Sequence, residues 1–156
     1  IKVLNGNLYR NIEWPVVVML AAMIPVGQAL ETSGISLSIA NFISTSTAGM
    51  ALPWLILMIL VITMFVSDIV NNAATAVIMA PIAANLAIQV GQPVEPFLMA
   101  VAVGASCAFL SPIGHQCNTL VMAPGNYKFG DYWRLGLPLE CVIVAISIPM
   151  ILFVWT

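Results

Sequence analysis

Long apolar runs broken by two short polar clusters dominate this chain. Residues 14–30 carry no charge and lie between Glu13 and Glu31. Residues 32–67, 69–94 and 96–127 are also uncharged, and no charge follows Glu140. A spanning helix needs about 20 apolar residues, so several runs qualify. We expect a first span over 14–31, with Trp14 at an interface and Pro15 in the first turn. Pro25 and Gly27 predict a kink or break in its second half. Residues 34–47 mix Ile35, Leu37, Ile39, Phe42 and Ile43 with Ser, Asn and Thr. They fit a short amphipathic segment at the membrane interface, and a plain loop equally well.

Residues 51–88 are apolar at both ends and polar in the middle, from Ser67 to Thr75. Two full spans plus a turn need more than about 40 residues. A re-entrant helical hairpin with the polar cluster at its tip fits the length. Residues 96–123 begin as a half-span and then meet Ser111, Pro112, Gly114, His115, Gln116, Cys117, Asn118 and Thr119. Pro and Gly are poor in helix interiors, so a broken helix is expected. Pro124 to Tyr127 reads as a tight turn. A last span over 132–155 runs from Trp133 and Arg134 to Trp155, with Pro149 kinking it. The expected fold class is an all-α membrane protein. Its organisation is a cytoplasmic lead-in over 1–13 and a membrane domain over 14–156.

Composition agrees with that pattern. The 156 residues are 62% hydrophobic and 6% charged, with a mean hydropathy of +1.07. A soluble domain averages about 25% charged, so a soluble globular domain is excluded. Disorder is excluded too, since it needs low hydrophobicity and high charge. A net charge of −2 offers no basic face for nucleic acid. Lys2 and Arg10 precede the first span, and Lys128 and Arg134 precede the last. A hairpin that returns to its starting side puts all four on the cytoplasmic face, as the positive-inside rule asks. A single crossing there would split them two and two. The chain starts at Ile1 without signal-peptide features. It reads as a piece of a longer multi-pass protein of the plasma (inner) membrane. Cys107, Cys117 and Cys141 form no CxxC pair, so no metal knuckle is indicated. There is no GxSxG, no HExxH and no second His, so an enzyme is not expected.

The two polar clusters carry the candidate chemistry. Irregular backbone at membrane depth survives only where protein or a water-filled cavity covers it. Half-helix N-termini favour anions, and freed carbonyls can coordinate Na⁺. The tip offers Ser67, Asn71, Asn72 and Thr75, which can cap helices and bind ligands alike. Asp68 is an intramembrane acid, a candidate proton or cation site or else a charge that stabilises the tip. His115 is the only His. It could hydrogen-bond an anion, move a proton or cap a half-helix. Gln116, Asn118 and Thr119 extend the patch. Cys117 and the methionines read as packing. Three function classes compete: a cation-coupled anion transporter, a Na⁺/H⁺ antiporter, and a non-transporting membrane anchor or assembly subunit. An anchor has no reason to bear the cost of two polar breaks.

Three segments resemble the divalent anion/Na⁺ symporter family of the ion transporter superfamily. Phe65-Val66-Ser67-Asp68-Ile69-Val70-Asn71-Asn72-Ala73-Ala74-Thr75 is similar to its second Ser-Asn-Thr hairpin motif. The run from Gly104 to Pro112, continued by Cys117 to Met122, resembles its following broken helix. The run from Lys128 to Pro138 resembles the approach to its last span. The similarity is greatest to a branch whose relatives carry TrkA-C-type domains between the membrane halves. The resemblance implies the second half of an inverted-repeat transporter, partnered by the N-terminal half of the same transporter, the lipid bilayer and a second copy in a homodimer. It implies Na⁺ as the coupling ion and no other cofactor. By motif position, Ser67, Val70, Asn72, Gly114 and Asn118 would hold Na⁺. Asn71, Asn72, Ala73, His115 and Asn118 would face a small anionic substrate. Asn71 and Ala73 stand where the motif has Ser and Thr, and His115-Gln116-Cys117 stands where relatives have Thr-Pro-Pro. Sulfate or another small oxyanion is therefore expected at least as readily as a dicarboxylate.

Overall fold

A computed structural model describes residues 14–47, 49–122 and 124–155. The lead-in with Lys2 and Arg10 lies outside the described residues, as do the side chains of Trp14, Met19, Met23 and Gln116. The described residues form seven α-helices and one short 3-10 turn, with no strand among them. Three stretches, Leu52–Ile69, Asn72–Gln89 and Phe129–Trp155, are long and apolar enough to cross a membrane by length and composition.

Helix α1 (Trp14–Thr32) runs unbroken past Pro25. Gly27 serves packing: a Cβ there would stand 2.8 Å from Val77 Cγ1 on the helix opposite. Gly34, with φ +73°, turns the chain into α2 (Ile35–Ser46). The loop alternative for this segment is thereby set aside. Its buried face is also not the apolar one. Ser36 and Ala40 are buried, while Ile35, Leu37, Ile39 and Phe42 point outward. Small residues let two helix backbones approach closely, which is how helices pack where lipid removes the hydrophobic drive.

Helices α3 (Leu52–Ile69) and α4 (Asn72–Gln89) form a hairpin with only Val70 and Asn71 between them. Both linkers are extended, and Asn71 caps α4 by accepting the Ala74 N–H at 2.8 Å. At the far end Gly91, at φ +66°, stops α4. Gln92 N donates to Ala87 O and Gly91 N to Ile88 O, the paired bonds of a glycine-terminated helix. Helix α5 (Glu95–Ala105) then returns toward the tip and packs against both arms. The arms touch α5 more than each other, so α5 sits in the fork of the hairpin. The core lies there: Ile56, Ile59 and Leu60 from α3, Ala83 and Leu86 from α4, Phe97 and Ala100 from α5. Ile151 of α7 (Tyr132–Trp155) joins it. Most of α7 otherwise faces outward with apolar side chains.

The chain leaves helix after Ala105 and re-enters it as α6 (Gln116–Met122). The unwound stretch is thus 106–115, whereas the Pro and Gly positions pointed to 111–119. Gln116 to Thr119 belong to α6.

Gly104 fixes how deeply α5 enters the fork. A Cβ at this position would stand 2.9 Å from Leu60 O and 2.9 Å from Thr63 Cβ. Gly104→Ala should therefore cost roughly 1–3 kcal/mol through overpacking. Thermal unfolding in detergent should show a lowered midpoint, while Ala102→Ser on the exposed face of the same helix leaves it unchanged.

Candidate functional site

Three helix ends meet at the hairpin tip. The C-termini of α3 and α5 bring carbonyl groups, and the N-terminus of α4 brings amide groups. The first two are ends of partial negative charge and the third is positive. Ser67, fully buried in the last turn of α3, donates its hydroxyl hydrogen to Ala105 O at 2.8 Å. This bond takes the α5 carbonyl that the interrupted helix leaves without a helical partner.

Asn72 opens α4 and reaches into the same space. The inward atom of its amide lies 3.0 Å from Ser67 Oγ, 3.2 Å from Ala105 O and 3.2 Å from Gly114 O. Ser67 has already given its only hydrogen, and the other two atoms are carbonyl oxygens. The inward atom is therefore the amide nitrogen, whose two hydrogens are shared among the three oxygens. Turned over, the amide would add a fourth oxygen to the group, which the Ser67 hydroxyl could meet at 3.0 Å only by giving up Ala105 O, whereas a cation at the centre would satisfy all four. Gly114 is needed for the approach: a Cβ on it would stand 2.8 Å from Ser67 O and 2.7 Å from Ala108 Cβ.

The unwound stretch is held mainly by side chains. Asp68 is 7% exposed, and its Oδ1 accepts the Leu110 N–H at 3.0 Å. Ser111 Oγ donates to Asp68 O at 2.6 Å and accepts from Ile113 N and Gly114 N, both at 3.2 Å. Asn118 Nδ2 donates to Ala108 O at 2.8 Å and to Ser111 O at 3.0 Å. Thr119 Oγ1 donates to Pro112 O at 2.6 Å. His115 caps α6: its Nδ1 accepts the Cys117 N–H at 3.1 Å, and its carbonyl accepts from Asn118 N.

The expected residues therefore fall into groups. Ser67, Asn72 and Gly114 come together around one amide. Asn118 is one hydrogen bond away, through Ala108. Asp68 faces the unwound backbone rather than that amide. Val70 is the half-buried linker, Ala73 lies half-buried in the first turn of α4, and Asn71 and His115 are exposed. Thr75 is fully buried, and its Oγ1 has no partner among the described residues.

Ser111, Tyr132 and Glu140 carry structural roles that the motif reading did not give them. Tyr132 Oη donates to Asn118 O at 2.7 Å. The Glu140 carboxylate lies beside the backbone amide of Phe109 and has one buried oxygen without a partner. A signal for Glu140 was present: it is the only charge after Arg134, and intramembrane acids are conserved for function or pairing.

The described residues thus form an all-helical domain, with a polar tip locked against an unwound segment and three stretches long and apolar enough to cross a membrane. The citrate transporter family, CitMHS, matches residues 3–104 and, in a second overlapping match, 49–156. The chain belongs to that transporter family, which bears out the resemblance to divalent anion/Na⁺ symporters. It is 38% identical over 146 residues to an uncharacterised transporter of Synechocystis, covering 94% of this chain and 24% of that protein. It is 33% identical over 147 residues to a probable sodium/sulfate cotransporter 3 of Chlamydomonas reinhardtii, covering 92% of this chain and 16% of the relative. It is 30% identical over 142 residues to a sodium-dependent high-affinity dicarboxylate transporter 3 of Caenorhabditis elegans, covering 90% and 25%. The chain thus spans a quarter or less of the length of these relatives.

Ser111 Oγ makes three bonds, one across to Asp68 O at the tip and two within the unwound segment, from Ile113 N and Gly114 N. Ser111→Ala should cost about 1–3 kcal/mol, because buried backbone groups lose their partner. Ser111→Thr, which keeps the hydroxyl, should recover most of the loss. Unfolding of the purified protein followed by tryptophan fluorescence reads both.

Proposed function

We propose that this chain is the ion- and anion-binding portion of a secondary transporter that couples Na⁺ entry to uptake of a small divalent anion, sulfate or a dicarboxylate. One observation carries the reading: Ser67 Oγ, Ala105 O and Gly114 O converge on the Asn72 amide. Such a set of neutral, hard oxygens suits an alkali cation. Ser67, Asn72, Asn118 and the carbonyls of Val70 and Gly114 are the proposed Na⁺ ligands. The α4 N-terminus, with Asn71, Asn72 and Ala73, supplies amide donors for the anion, and His115 and Asn118 face it from the junction of the unwound segment with α6. The Asn72 side chain lies between the two roles. With Na⁺ bound its oxygen turns inward and its nitrogen outward, toward the anion. Ion binding would thus build part of the anion site, which is the coupling a symporter needs.

In this reading the hairpin is re-entrant, with its tip at depth in the plasma membrane. The remainder of the site comes from the N-terminal half of the same transporter. The working unit is a homodimer in which the site-bearing part moves against a fixed part. The names of the Chlamydomonas and Caenorhabditis relatives support Na⁺ coupling and a divalent anion. Replacement of the motif Thr by Ala73 and of Thr-Pro-Pro by His115-Gln116-Cys117 favours sulfate over a dicarboxylate.

Radiolabelled sulfate uptake by the full-length protein in proteoliposomes should require an inward Na⁺ gradient. Asn72→Ala and Asn118→Ala should abolish it in the fraction of each variant that folds, which gel filtration separates before reconstitution. Strong inhibition by succinate would move the substrate to the dicarboxylates. Absence of Na⁺-driven uptake of either anion by folded protein would overturn the symporter reading.

A further inference from the structure

Helix α7 meets the unwound segment along one face. Tyr132, Gly136 and Glu140 are spaced four residues apart, so they form a single row on the helix. Each meets the same stretch of chain. Tyr132 Oη donates to the carbonyl of Asn118 at 2.7 Å. At Gly136 the approach is backbone to backbone: an added Cβ would lie 2.4 Å from Phe109 O and 2.7 Å from Phe109 C. The Glu140 carboxylate lies beside the Phe109 backbone amide. Gly136 is buried, whereas its neighbours Leu135 and Leu137 are exposed. Phe109, Asn118, Tyr132 and Gly136 also share the wall of a cavity of about 270 Å³ between α6 and α7.

The other side of this stretch faces the tip. Asp68 takes the amide of Leu110, the residue after Phe109. Asn118, whose carbonyl receives the Tyr132 hydroxyl, holds Ala108 O and Ser111 O with its side chain. The segment is therefore gripped between α3 and α7. The direction in which Gly114 O and Ala105 O point depends on both grips.

We propose that Tyr132 and Glu140 are positioning residues of the cation site, acting through the backbone of residues 108–118 and not by touching the ion. The proposal rests on the reading of this site as a Na⁺ site. Tyr132 contributes a hydroxyl to a carbonyl, and Glu140 sets a polar group beside the Phe109 amide, in the wall of a cavity it shares with Leu110. Gly136 lets α7 come close enough for both. Neither role needs a charge on the side chain, which separates positioning from ion binding or proton transfer.

The test uses the full-length protein in proteoliposomes, with Tyr132→Phe, Glu140→Leu and Glu140→Gln, and Leu135→Ala as an outward-facing control. Loss of the Tyr132 hydrogen bond, or of the polar group beside Phe109, should raise the half-saturating Na⁺ concentration roughly three- to tenfold in Tyr132→Phe and Glu140→Leu. Half-saturation by sulfate at saturating Na⁺ should stay within about twofold of the parent. Glu140→Gln keeps an acceptor oxygen and should behave as the parent does. Unchanged Na⁺ dependence in Tyr132→Phe and Glu140→Leu would overturn the proposal. So would a Glu140→Gln variant as impaired as Glu140→Leu, because the charge would then matter. Hydrogen exchange over residues 106–122 gives a readout that needs no transport. Faster exchange in Tyr132→Phe than in the parent supports the proposal, and equal exchange refutes it. If the parent shows no Na⁺-driven uptake, the functional reading fails, and the exchange data still decide whether α7 holds the segment.

Discussion

A stretch of backbone that leaves helix inside an apolar protein must find partners for every N–H and C=O within that protein. Each group left unsatisfied in hydrocarbon costs several kcal/mol. Residues 106–115 impose that requirement on the domain. Side chains from both polar clusters meet part of it. Ser67 takes Ala105 O, Asp68 takes Leu110 N, Asn118 takes Ala108 O and Ser111 O, and Thr119 takes Pro112 O. The hairpin tip and the broken helix therefore complete each other. Removing the polar residues of one would strand the backbone of the other.

The same requirement explains the glycines. Side chains as short as Ser, Asp and Asn reach backbone only when the backbones are nearly in contact. Gly104 brings α5 against Leu60 and Thr63 of α3, Gly114 brings the segment against Ser67 and Asp68, and Gly136 brings α7 against Phe109. Packing and hydrogen bonding here are one constraint. A methyl group at any of the three would separate donor from acceptor as well as crowd a neighbour.

The existence of the tip and the break was legible in the sequence, because apolar runs this long make a cluster such as Ser67 to Thr75 stand out. The start of the break was not. Residues 106–110 contain no Pro or Gly, and nothing local forbids helix there. They unwind because partners some 40 positions away in sequence, Ser67 and Asp68, replace the helical ones. Helix α2 shows a different blind spot. Its sequence suggested an interfacial amphipathic segment or a loop, with no sign that Ser36 and Ala40 would be its buried positions. They are buried because close helix contact favours small side chains. The role of α7 was hidden for a third reason. Tyr132 and Glu140 act on backbone atoms, so the residues they contact leave no complementary mark in the sequence.

The placement of Asp68 bears on how the proposed site could release an ion. The converging oxygens around Asn72 are neutral, and Asp68, the acid next to Ser67 in sequence, is turned instead to the amide of Leu110. A carboxylate inside a small oxygen cage would attract a cation strongly at low effective dielectric, and strong attraction slows release. One step outside, a carboxylate would still lower the cost of bringing a cation to the proposed site, while the ion's direct partners would remain weak dipoles. Those dipoles also have an alternative: the Asn72 nitrogen shares its two hydrogens among them when no cation is present. The proposed site can then exchange between two satisfied states, one closed by an ion and one by an amide. A binding site meant to fill and empty in every cycle needs both states to be low in energy.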